Sequence, residues 1–134
     1  MKPNARRPMP LLFFILIVST CSLLGFISRA GAAEVTASLS GTVRDASGAI
    51  VPKASVILKN TDTNAIRTTQ SNSDGTYLFT LVPIGNYSVT VEQKGFRRFV
   101  QSGITLQVNQ NAKLDVALQV GTTGDVIEVT ENVA

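Results

Sequence analysis

Beyond residue 33, the apolar residues of this chain recur with a period of two. "ASVILKN" puts Ala54, Val56 and Leu58 on one face, "TYLFTL" does so with Tyr77, Phe79 and Leu81, and "NYSVTVEQ" with Tyr87, Val89 and Val91. "GITLQVN" adds Ile104, Leu106 and Val108, and "AKLDVALQV" adds Leu114, Val116, Leu118 and Val120. Side chains of an extended chain alternate between faces, so this pattern predicts half-buried strands and leaves no stretch with a helical repeat. Between the runs stand "DASG", "NTDTN", "NSDG", "PIGN" and "VNQN". Asp and Asn bond their own backbone in turns and Gly accepts positive φ. With "TASLSGTV" (36–43) and "IRTTQS" (66–71) as polar edge strands, the expected fold is all-β, a seven-stranded antiparallel β-sandwich closed over one core.

The first residues are built differently. Lys2, Arg6 and Arg7 precede an apolar core that starts at "LLFFILIV" and runs to Ile27, and "RAGAAE" supplies small residues for a peptidase. This is the layout of a secretory signal peptide, expected as a helix over residues 1–32. Cleavage falls after Ala32, or after Ala33 as Gly31 and Ala33 permit. The competing reading is an uncleaved anchor, since Leu11 to Ile27 is near the shortest length that spans a bilayer. Four of the twelve basic residues lie in the leader and all nine acids lie beyond it, so the processed chain carries eight bases against nine acids. The overall charge of +3 therefore belongs to the leader. Nothing on the folded part gathers Lys and Arg as a nucleic-acid partner requires. Cys21, the single cysteine, is also in the leader, so the domain has no disulfide. Reading "VSTC" as a lipidation box fits poorly, because Thr20 precedes the cysteine and apolar sequence continues past it.

Chemistry is sparse in the remainder. The chain has no histidine, which removes Ser-His-Asp and Cys-His nucleophiles and the commonest zinc ligand. No P-loop or dinucleotide fingerprint occurs. No enzyme and no cofactor are expected. Asp45, Asp62 and Asp74 could offer oxygens to calcium, but turn capping accounts for each. "KGFRRFV" interleaves Lys94, Arg97 and Arg98 with Phe96 and Phe99; the competing readings are a basic aromatic patch and a packed Phe96 with solvated arginines, of which the second is favoured. There is no Trp to serve as a sugar platform, and Tyr77 and Tyr87 fall on inward phases. Asn86-Tyr87-Ser88 fits a glycosylation sequon at the start of a core strand and is discounted.

In order and spacing, Gly41-x-Val43-x-Asp45, Gly48, Ala54-x-Val56, Asp74-Gly75-x-Tyr77, Gly85-x-Tyr87 and Gly95-Phe96 resemble the carboxypeptidase regulatory-like domain. The likeness runs from Ser38 to Val120. It implies a transthyretin-like sandwich over residues 33–120, and a setting such as a metallocarboxypeptidase, a secreted adhesin or the periplasmic N-terminal end of a TonB-dependent outer-membrane receptor. Residues 121–134 break at Gly121 and Gly124 and read as a linker and an extended tail. Within that tail Asp125, Val126, Ile127, Glu128, Val129 and Thr130 are similar to a TonB box, with Glu128 interrupting the usual apolar run and Glu131 replacing a common alanine. The resemblance implies a TonB-like energy-transducing partner, a periplasmic or outer-membrane location in a Gram-negative bacterium, and membrane association only as part of a longer receptor. The chain reaches Ala134 without a closing signal, which suggests a piece of such a receptor. Two other readings of the tail stay open: an extra edge strand of this same domain, or the first strand of a following plug. The alternative function is a secreted module that binds carbohydrate or protein through its loops.

Overall fold

The computed structural model describes residues 34–122 and 124–130, together with Pro3 and Gly31. The expected signal helix lies outside the described residues. The chain divides into two units, Met1–Ala33 and Glu34–Ala134, and the described residues of the second form strands and turns with no helix. Its strands are β1 (Thr36–Asp45), β2 (Ser55–Asn60), β3 (Ile66–Gln70), β4 (Thr76–Pro83), β5 (Gly85–Glu92), β6 (Arg98–Leu106), β7 (Asn111–Lys113), β8 (Val116–Leu118) and β9 (Val126–Val129). One sheet runs β4-β1-β7, with β8 also on β1, and the other runs β3-β2-β5-β6-β9.

The two-sheet sandwich expected from the alternation is present, with two corrections. Its pairing is mixed: β7 and β8 lie parallel to β1, and β9 lies parallel to β6. Among the described residues nine strands replace seven, because the last expected run is split and the tail adds a strand. The split occurs where Leu114 N donates to Ser40 O at 2.8 Å and Thr42 N donates to the Asp115 carboxylate at 3.0 Å. Asp115 thus takes over one backbone amide of β1 while the chain steps between β7 and β8.

Both inner faces fill one core. Leu39 and Val43 of β1, Val56 and Leu58 of β2, Phe79 and Val82 of β4, Val89 and Val91 of β5, and Ile104 and Leu106 of β6 are buried. Each such side chain contributes about 1.5–3 kcal/mol when withdrawn from water. That burial has to hold the domain alone, since its described part contains no cysteine. β1 is central, not the edge its polar sequence suggested: Ser38 and Ser40 stand between buried Ala37, Leu39 and Gly41.

Three residues expected to face inward do not. Leu81 is 75% exposed, Val120 is 75% exposed and Val108 lies at a turn, half out of the fold. At Leu81 the cause is a local break in phase. Its φ of +51° is left-handed, which costs a non-glycine residue about 1–2 kcal/mol, and it lets Val82 take the inward place. A register shift in β1 between Ala37 and Leu39 accompanies it.

The turns are held by side-chain oxygens. Asp45 Oδ1 accepts from Ser47 Oγ at 2.6 Å, Ser47 N and Ala49 N, and these bonds, the Ser47 hydroxyl foremost, lower its pKa. Asn60 Oδ1 accepts from Asp62 N and Thr63 N, and Asn72 Oδ1 from Asp74 N and Thr76 N. Thus the calcium candidates Asp45, Asp62 and Asp74 sit in three separate turns, and among the described residues no three acidic or thiol side chains gather.

Tyr77 crosses the core to donate its hydroxyl to Leu114 O at 2.6 Å. Burial, with a smaller push from the Asp115 charge, raises its pKa well above the usual phenol value. The unfolded chain releases this proton near pH 10, where the folded chain keeps it, so the contribution of this group to stability is intact below about pH 10 and declines as pH rises beyond it. Tyr77→Phe leaves the Leu114 carbonyl unpaired and should cost about 1–3 kcal/mol at pH 7. Urea unfolding at pH 7 and near pH 11 should show that cost together with a shallower alkaline decline than in the unaltered chain.

Candidate functional site

The tail is built onto the sandwich by a sequence of main-chain bonds. After β8, Arg97 N donates to Gln119 O at 2.7 Å, Phe96 bridges Val120, and Gly121 N donates to Gly95 O at 3.1 Å. Asp125 N then donates to Thr122 O at 3.0 Å, which closes a tight turn where a linker was expected. Beyond it Arg98 N donates to Asp125 O at 2.9 Å, and β9 runs parallel to β6 with Arg98, Phe99, Val100 and Gln101 facing Val126, Ile127, Glu128 and Val129. Ile127 and Val129 turn partly inward, Val129 packing on the core, while Val126 and Glu128 face solvent. Asp125 and Thr130 are exposed at either end. All six tail residues singled out from sequence are therefore brought together at one edge of the larger sheet.

The preceding "KGFRRFV" stretch supplies the other half. Phe99 is buried and Phe96 packs against the core, so the aromatics are structural. The arginines have specific partners, which the sequence reading missed. Arg97 lies across Gly121, where a Cβ would come within 2.8 Å of its Nε, and reaches the Asp125 carboxylate at 3.9 Å. Both groups are about half exposed, so this ion pair adds little beyond geometry. Arg98 Nε lies 2.6 Å from Glu92 Oε1 on β5 without an aligned hydrogen bond. No feature of "RRF" alone shows which arginine turns to β9 and which to β5, because that depends on strand order.

A second region lies around the free edge of β4. An open hollow of about 500 Å³ is lined by Thr36, Ser38, Leu78, Leu81, Asn109 and Asn111, among others. Arg67 of β3 reaches across the sandwich, its guanidinium 5.7 Å from the Phe79 ring centre and its Nη1 donating to Thr80 O at 2.8 Å. The β4 edge is thereby guarded by a charge and bent by Leu81, two devices that discourage strand addition.

Comparison with known proteins agrees with this architecture. The family described as the carboxypeptidase regulatory-like domain matches residues 38–119. The chain is 27% identical over 107 residues to the TonB-dependent transporter Oar of Myxococcus xanthus, covering 78% of this chain and 10% of the transporter's length. Among solved structures it is similar to the Bacillus anthracis TIE protein, at 22% identity and a TM-score of 0.56 over 65% of this chain and 17% of that one. Hydroxyquinol 1,2-dioxygenase from Pseudomonas putida matches at 11% identity and a TM-score of 0.56, over 69% of this chain and 59% of the dioxygenase. A putative carbohydrate binding protein from Bacteroides uniformis matches at 19% identity and a TM-score of 0.52, over 63% and 41%. At these identities the structural likenesses establish the sandwich fold alone.

Proposed function

We propose, from the premise that this chain belongs to the carboxypeptidase regulatory-like domain family, that it is the exported N-terminal accessory module of a TonB-dependent outer-membrane receptor. The module stands in the periplasm and performs no catalysis itself. Its sandwich acts as a spacer or docking unit, and Asp125–Thr130 is the segment offered to a TonB-like energy-transducing partner. The observation that carries this reading is the similarity to a TonB-dependent transporter over 78% of the chain. The physical support is that Val126, Ile127 and Val129 are β-branched residues already extended as a strand. Such a segment can join the sheet edge of a partner through main-chain bonds, with its alternate side chains entering the partner's pockets.

The test is retention of the processed chain by the periplasmic domain of a TonB-like protein, compared with a chain ending at Gly121. The full chain should be retained and the shortened one lost. Equal retention of both removes Asp125–Thr130 from the proposal. The alternative, a carbohydrate- or protein-binding module, draws on one observation, the hydroxyl- and amide-lined hollow beside Leu78 and Leu81. Glycan-array binding that disappears on Asn111→Ala would favour it.

A further inference from the structure

The parallel β6–β9 ladder bears directly on how the tail is used. A strand has two edges, and the bonds that join Asp125–Val129 to β6 occupy one of them. The inward residues Ile127 and Val129 are at the same time turned toward the sandwich. A partner that recruits this segment by strand addition needs its main chain and, for a firm grip, the apolar face formed by those residues. We infer that β9 is a self-paired latch: β6 occupies one main-chain edge of the tail and the sandwich holds its inward side chains, and a partner that needs that edge or those side chains gains them only when the latch opens. This rests on the proposed role of Asp125–Thr130 for the identity of that partner, and on the ladder alone for the latch itself.

The latch is built to open without unfolding the domain. It is short, with four facing residue pairs, and it lies at the end of the sheet order, so its loss leaves β3-β2-β5-β6 intact. Its side-chain clasp, Arg97 to Asp125, is exposed and long at 3.9 Å. The tight turn after Gly121 returns the segment to the same edge, keeping its effective concentration there high. Opening is thus a local event of low cost beside global unfolding.

A protease that takes its substrate as an extended strand serves as a probe independent of any partner. In an Arg98→Cys/Val126→Cys chain, with Cys21→Ser to prevent scrambling, the two introduced thiols lie at facing positions of β6 and β9. Cleavage after Glu128 by a glutamyl endopeptidase should be about tenfold or more slower in the oxidised form than in the reduced form, because only the opened segment is cut. Val100→Pro, which removes the next β9-facing amide after that of Arg98, should speed cleavage by about tenfold or more relative to the unaltered chain. Should that variant fail to fold, as its melting curve will show, the oxidised-to-reduced comparison decides alone. Equal cleavage of the oxidised and reduced forms overturns the latch. The same pair of forms is then offered to a TonB-like periplasmic domain. Retention of the reduced form and loss of the oxidised form supports the masking of the tail, whereas equal retention of both overturns it. If neither form is retained while oxidation still slows cleavage, the latch stands and the TonB-like partner is removed.

Discussion

A Gly41→Ala chain should lose about 4 kcal/mol or more of stability, an effect in the exceptional range for one added methyl group. Gly41 sits in the middle of β1, facing Tyr77 on β4. A Cβ at this position would overlap the Leu114 carbonyl oxygen and come within 2.8 Å of the Tyr77 hydroxyl. Neither neighbour can give way cheaply. Leu114 O belongs to the backbone step between β7 and β8, whose position is fixed by Leu114 N donating to Ser40 O and by Asp115 accepting from Thr42 N. The Tyr77 hydroxyl, for its part, is committed to that same carbonyl at 2.6 Å. Relief therefore requires moving β7 and β8 off β1, opening the sheet on its parallel side. Against a total of about 5–15 kcal/mol for a domain of ordinary size, such a change brings the fold close to the unfolding limit. Urea denaturation should show a midpoint shifted far down with the slope preserved. A loss under about 1 kcal/mol would mean that the β7–β8 crossing is looser than its bonds imply.

This constraint was only half legible in the sequence. Gly41 is visible as part of the Gly-x-Val-x-Asp opening, and the alternation on either side marks a strand. What makes the glycine necessary is a backbone 73 residues away, since Leu114 arrives through a parallel crossing that no local pattern announces. The same division runs through the whole domain. Alternation is a property of each segment, and it places Val56, Leu58, Tyr87, Val89, Val91, Ile104 and Leu106 correctly inside. Phase breaks belong to pairs of strands. Leu81 leaves the inward face because β4 bulges against β1, and nothing in "TYLFTLVP" marks where the bulge falls. The tail shows the limit most clearly. Its β-branched residues predict an extended strand with no preference for a host edge, because main-chain bonds to β6 and to a partner are chemically alike. Only the strand order, with β6 left open beside β5, identifies the edge within reach.

Phe79→Ala is the second change expected to have a large effect, about 3–5 kcal/mol, and it tests the opposite side of the sandwich from the latch. Phe79 is nearly fully buried and meets the Tyr77 ring edge-on, centroids 6.2 Å apart at 69°. Removing it leaves a cavity beside a tyrosine whose hydroxyl is already tied to Leu114, so Tyr77 cannot swing in to fill the space. It also removes the ring beneath the Arg67 guanidinium. An arginine over a ring at a partly exposed site is worth about 0.5–1 kcal/mol, so most of the loss is packing. The two contributions can be separated. Phe79→Leu keeps much of the volume and should cost under about 1.5 kcal/mol apart from the ring contact. A double-mutant cycle of Phe79→Leu with Arg67→Met should then give a coupling of about 0.5–1 kcal/mol. No coupling would leave Arg67 as a guard of the β4 edge through its bond to Thr80 O alone. In that case Arg67→Met should leave urea stability nearly unchanged while raising concentration-dependent light scattering, because the unpaired carbonyls of β4 then stand open to another chain's strand.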